Sequence, residues 1–194
     1  MNLDEYSRRP RDYILQTRRI IIMAKTTFSG PVYSKNGFIN TGPGNTISLT
    51  ADTDLTVAAH AGRLLLTNDA DGKFTLPTIN ATANAAVAGA TDYNNLNNIG
   101  ASFHFYVATA ATDMDILTDG TDKFVGAIML AVDNGAKKAF IPAAANDVIT
   151  MTGAEEGGLV GSVVSITAIA DDEYLVHNSL LLGTGTIATP FANA

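Results

Sequence analysis

The chain has 194 residues, 46% of them apolar, 16% charged and 7% aromatic, with a net charge of −7 and no cysteine. That length suits one sizeable hydrophobic core, and the apolar fraction excludes a wholly disordered chain. Disulfides, thiolate metal sites and cysteine nucleophiles are excluded together, no apolar run nears the ~18–20 residues of a membrane-spanning helix, and the acidic balance opposes general nucleic-acid binding.

The first element, residues 1–25, runs against the charge of the rest. It holds six basic residues, Arg8, Arg9, Arg11, Arg18, Arg19 and Lys25, against three acidic ones, whereas six basic residues face sixteen acidic ones beyond it. The apolar stretch Ile20, Ile21, Ile22 after Arg18 and Arg19 is too short for the ~7–15-residue core of a signal peptide, and Asp4, Glu5 and Asp12 do not suit a transit peptide. Three readings stay open: an extension that docks on a partner, a disordered tail, or translation upstream of a start at Met23. Pro10 opposes a helix, so the expectation is an extended basic arm with Tyr13, Ile14, Leu15, Ile20 and Ile21 as apolar anchors.

From residue 26 onward, short runs of Val, Ile, Leu, Phe and Thr are punctuated by Gly, Asn and Asp every 8–12 residues or so, the cadence of an all-β sandwich or barrel. The expected architecture is an antiparallel, jelly-roll-like β domain over 26–194. Strands are predicted at 46–50, 55–59, 63–67 and 73–76, the last two as a hairpin turning on Asp69-Ala70-Asp71-Gly72. The Ala- and Asn-rich stretch 80–98 reads as a loop with at most one helical turn. In 100–108, Phe103, Phe105 and Val107 alternate with Ser102, His104 and Tyr106, predicting a strand with one face in the core.

A strand at 114–117 is followed by a run at 123–132 that is apolar on both faces, including Val125, Ala127 and Met129 on one of them. Such a strand either lies between packed layers or meets another subunit with its outer face. Val125, Ala127 and Met129 are therefore candidate interface residues, with His104, which suits a hydrogen bond at a subunit contact. Further strands are expected at 139–141, 148–151, 159–170 with a bulge at Gly161, 174–176 and 180–182, the fold ending in the loop 183–186. No segment carries the long apolar stripe that crossover helices of a nucleotide-binding domain need.

Residues suited to chemistry do not gather. His60, His104 and His177 fall on separate strands without ligand spacing, so core or surface roles are expected for each. The pairs Asp52/Asp54, Asp69/Asp71, Asp113/Asp115 and Asp119/Asp122 could hold Ca²⁺ in a loop, but Asp also makes turns and none fits the EF-hand pattern. Glu155-Glu156 and Asp171-Asp172-Glu173 read as solvated turns, since neighbours on a strand point apart. The nucleophile elbow is missing, and GAEEGGLVG at 153–161 lacks the Lys-Ser/Thr of a phosphate loop. No cofactor and no catalytic residue are predicted.

Several segments, taken in order, resemble a known family. AKTTFSGPVYSKNGF at 24–38 resembles the opening of structural proteins from tailed bacteriophages. FTLP at 74–77, GASFHFYV at 100–107, NDVIT at 146–150, GSVVSI at 161–166 and YLVHN at 174–178 are similar to the β-rich cadence of phage head decoration, or cement, proteins. The resemblance spans most of 24–194, while 1–22 has no counterpart in it. It implies a non-enzymatic virion protein that forms homotrimers on the outer surface of the head, over threefold or quasi-threefold positions, with the major capsid protein as partner. The arm, Arg8 to Ile21, is expected on its own charge and apolar anchors to lie along the shell. A tail-associated fibre or receptor-binding protein is the alternative.

Overall fold

A computed structural model describes residues 42–81 and 97–194, all within the unit Asn40–Ala194. The arm residues Arg8, Arg9, Arg11, Tyr13, Ile14, Leu15, Arg18, Arg19, Ile20 and Ile21, the segment 24–38 and most of the predicted loop 80–98 lie outside the described residues.

The described chain is mostly β: β1 Thr46–Leu49, β2 Thr53–Asp54, β3 Leu64–Thr67, β4 Lys73–Thr75, β5 Ser102–Val107, β6 Met114–Leu117, β7 Lys123–Gly126, β8 Ile128–Val132, β9 Lys137–Phe140, β10 Val148–Met151, β11 Val163–Ala170, β12 Glu173–Gly183 and β13 Phe191–Ala192. One sheet has the order β1-β3-β5-β11-β12-β8-β9, with β7 also on β12; the other runs β13-β10-β6-β4-β2. No helix among the described residues is long and apolar enough to cross a membrane.

The sheets are mixed, which corrects the antiparallel expectation. From β1 to β6 the chain alternates between them strand by strand, so β1, β3 and β5 pair in parallel in one sheet and β2, β4 and β6 in parallel in the other. The hairpin expected around 69–72 does not form for this reason: β3 and β4 belong to different sheets. The turn chemistry is present, but the turn carries the chain across the core, so that Leu65 and Phe74 both reach one interior. The strand expected at 55–59 is a single helical turn, α1 Val57–His60, whose N-cap Thr56 accepts the Ala59 N–H at 3.3 Å.

The second half is built on β11 and β12, an antiparallel pair in which the two segments expected at 174–176 and 180–182 are one strand. A register shift keeps them continuous: Asn178, at φ +47°, is the extra residue, and with it Val176 and Leu181 both still point inward. One bulge is therefore here and a second irregularity lies between Ala168 and Ala170, while Gly161 sits in the turn before β11. The run 123–132 is likewise broken, because Gly126 takes φ +101° and a Cβ there would strike the Val176 carbonyl. Its halves, β7 and β8, both pair in parallel with β12. After the expected terminal loop, 183–186, the chain returns to add β13 beside β10.

Residues of both sheets form one core, including Leu65, Phe103, Phe105, Ile166 and Leu130 from the first and Phe74, Ile116 and Ile149 from the second. Phe74 and Phe105 meet across it with ring centroids 6.4 Å apart. Each such side chain contributes roughly 1.5–3 kcal/mol by leaving water.

Candidate functional site

Because side chains alternate along a strand, every inward Phe or Ile of the eight-stranded sheet implies an outward neighbour, and pairing aligns those neighbours in rows. One row reads Ser48, Leu66, Tyr106, Val163, Leu180, Met129, Ala139 across seven paired strands. Five consecutive members, Leu66 to Met129, are large and apolar or aromatic; Met129 and Leu180 are 43% and 38% exposed. The next row reads Thr46, Leu64, His104, Ser165, His177, and Leu64 is also exposed. A third joins Ser102, Thr167, Leu175 and Val125.

The polar members of this face bond to one another. His104 Nδ1 lies 3.2 Å from Ser165 Oγ, the Ser102 and Thr167 hydroxyls 2.8 Å apart, and Thr167 Oγ1 2.9 Å from His177 Nε2, whose Nδ1 is 3.1 Å from Asn178 Nδ2. No Asp, Glu, Lys or Arg stands among the outward residues of the three rows; Glu173 and Lys123 lie at one end of the sheet, and Lys137 on the outermost strand.

The four candidate interface residues from the sequence fall on this surface. His104, Val125 and Met129 point outward from it, and Ala127 is exposed at its margin, in the kink between β7 and β8. The run 123–132 does not lie between packed layers: Phe124, Ile128 and Leu130 are buried, whereas Ala127 and Met129 are exposed within the chain itself. Tyr106, Val163, Leu180 and Leu66 complete the face and were not singled out by sequence reasoning. Period-two alternation placed Tyr106 beside His104, but only register brings residues 66, 106, 163, 180 and 129 into line.

Elsewhere, reactive groups are engaged locally. His60 Nδ1 accepts the Thr56 N–H at 2.9 Å, and burial lowers its pKa. His104 and His177, expected far apart, instead flank Ser165 on one row. Asp52 accepts the Lys73 N–H at 2.8 Å, and Asp119 closes its own turn on Thr121. Among the described residues no group of three or more His, Asp or Glu is placed to hold a metal ion. A cleft of ≈ 530 Å³ between β7 and 141–144 is lined by Lys123, Val125, Ile141 and Pro142 together with Asp171, Asp172 and Glu173. The Lys123 amine is paired with Asp147 at 2.8 Å. No protein-family model, curated protein or solved structure matches the chain.

Proposed function

We propose that this chain is a non-enzymatic structural subunit, a phage head decoration protein, that self-associates through the outer face of its eight-stranded sheet. The observation that supports this is the charge-free face itself. A wet sheet face ordinarily carries charges, and a chain of net charge −7 repels its copies wherever its carboxylates must approach. The rows from Leu64 to Met129 remove that repulsion and offer apolar and neutral hydrogen-bonding groups, the composition of an interface centre.

The five strands that carry the apolar row from Leu66 to Met129, at ~4.8 Å spacing and about five residues of ~3.4 Å each, give a projected patch of roughly 400 Å², about half of the ~800 Å² per partner usual in stable complexes. On this reading the two sheets form a β-sandwich, its copies make a homotrimer, and the basic arm of residues 1–25 reaches the major capsid protein of the head.

Two measurements test it. Light scattering of the free protein at micromolar concentration is expected to give a trimer, and a monomer overturns self-association. Mixed with empty heads lacking it, the protein is expected to co-sediment in proportion to threefold positions, and to do so less after removal of residues 1–25. Failure to sediment removes the head from the proposal, and particles labelled at the tail favour a fibre role.

A further inference from the structure

The turn between β6 and β7 holds a carboxylate that none of the above uses. Asp119 Oδ1 accepts the N–H groups of Thr121 and Asp122 at 2.9 and 3.1 Å and the Thr121 hydroxyl at 2.7 Å. Burial would raise the Asp119 pKa, but the bonds from Asp122, Thr121 and Thr78 outweigh it and hold this group at about 2. Asp119 is therefore a fixed negative charge. The closed turn drives Asp122 inward, where it has no solvent exposure.

There Asp122 Oδ2 accepts the Ile79 N–H at 2.8 Å, and Oδ1 is buried with no hydrogen-bond partner. The charges that act on it are negative: Asp119 on its own turn and Asp171 and Asp172 on the β11–β12 turn. Tyr174, beneath it on β12, donates its hydroxyl to the Pro77 carbonyl. Lys123, its neighbour on β7, is engaged by Asp147 at 2.8 Å and by the Gly120 carbonyl at 2.7 Å. An ionised carboxylate with an orphan oxygen, out of water and among three other carboxylates, is costly, and a proton on Oδ1 replaces that charge with a neutral hydroxyl, which is far less costly to bury.

The segment that Asp122 holds has no ladder of its own. Residues 77–80 follow β4 as irregular chain, fastened by Tyr174 on Pro77, Asn98 on Thr78 and Asn80 at 2.8 Å each, the Asn98 N–H on the Asn80 carbonyl at 3.1 Å, Thr78 on Asp119, and Asp122 on Ile79, whose side chain is buried.

We propose that Asp122 is a proton-controlled latch: with a proton on Oδ1 it fastens residues 77–80 to the β6–β7 turn, and when ionised it favours their release, which lets water reach the carboxylate. The sign follows from the two states. Burial first, then Asp119, Asp172 and Asp171, against the opposing Ile79 N–H, raise the Asp122 pKa from 3.8 to about 6. The closed form thus binds the proton more tightly than the open form. The latch is firmest below about pH 4, weakens as pH rises through 6 and is level above that. This inference stands independently of the assembly proposed above.

Hydrogen exchange of the full chain, corrected for the intrinsic pH dependence of exchange, reads the latch at the Ile79 amide. From pH 4 to pH 7, protection over 77–80 is expected to fall on the order of 10- to 100-fold in the wild type while that of β10 stays constant. In Asp122→Asn, which keeps an acceptor for Ile79 and cannot ionise, the fall is expected to vanish. A flat wild-type profile, or the same fall in Asp122→Asn, overturns the proposal. If that variant does not fold, the carboxyl ¹³C titration of wild-type Asp122 decides alone: a midpoint near 6 supports the latch, and one near 4 overturns it.

Discussion

The two sheets share one core and differ in the side chains they turn away from it. Outside the five-stranded sheet, Asp54, Lys73 and Asp115 stand among Thr75, Leu117 and Thr150, and Lys73 pairs across strands with Asp115 at 4.0 Å. Outside the eight-stranded sheet the corresponding rows hold Leu66, Tyr106, Val163, Leu180 and Met129 beside histidine–hydroxyl contacts. Both faces are built from the same period-two alternation, and both back onto buried Phe and Ile. The difference therefore lies in the outward residues: one face carries charged side chains, and the other apolar and hydroxyl or imidazole groups, the composition on which the proposed self-association rests.

The sharpest way to break this contrast is to put charge on the apolar row. Met129 and Leu180 are register partners and both exposed, so Met129→Lys with Leu180→Lys costs the folded chain about 1–2 kcal/mol, from like-charge repulsion and lost packing, without removing a core side chain. In an assembly the two lysines must be desolvated against their counterparts, at a cost of several kcal/mol. The double variant is expected to run as a folded monomer in light scattering, while Thr75→Lys with Thr150→Lys on the opposite sheet leaves the assembly intact. An unchanged assembly in the first pair, or dissociation in the second, reverses the assignment of faces.

How far this face was legible from sequence follows from how its parts are connected. The strand 102–107 was readable with its two faces, because alternation is local: Phe103, Phe105 and Val107 are buried and His104 and Tyr106 are not. Met129 was readable as an interface candidate because an apolar residue on both sides of a strand must be covered by something. The row was not readable, since its members are joined by pairings between strands far apart in the chain. The same limit explains the turn at 69–72, where local chemistry specified a reversal and only the shared core specified that it crosses from one sheet to the other. Asp122 resembled any turn aspartate; its burial depends on Ile79 arriving from 43 residues away.

Tyr106 sharpens the contrast at intermediate size. It stands mid-row between Leu66 and Val163 and is half-buried within the chain. Aromatic residues at such centres dominate association, so Tyr106→Ala is expected to weaken assembly about 10- to 100-fold by sedimentation equilibrium. Part of any effect comes from lost cross-strand packing, worth about 0.2–1 kcal/mol. Measuring the substitution again in the monomeric Met129→Lys, Leu180→Lys background isolates that part. An assembly loss no larger than the monomer's stability loss takes Tyr106 out of the interface.

Lys73 and Asp115 set the lower end of the scale. Their ammonium and carboxylate are 4.0 Å apart, and the Lys73 side chain is 56% exposed, so water and salt screen most of the attraction. Lys73→Ala is expected to change unfolding stability by about 0.5 kcal/mol or less, with the difference fading in 1 M salt, and to leave the assembly unchanged. The backbone of Lys73 keeps its bond to Asp52 whatever the side chain, so the strand retains its place. A large effect on assembly from so weakly coupled a pair could arise only if this face, too, were covered in the assembled protein; the contrast between the two sheets would then reduce to one charged and one apolar contact of the same subunit.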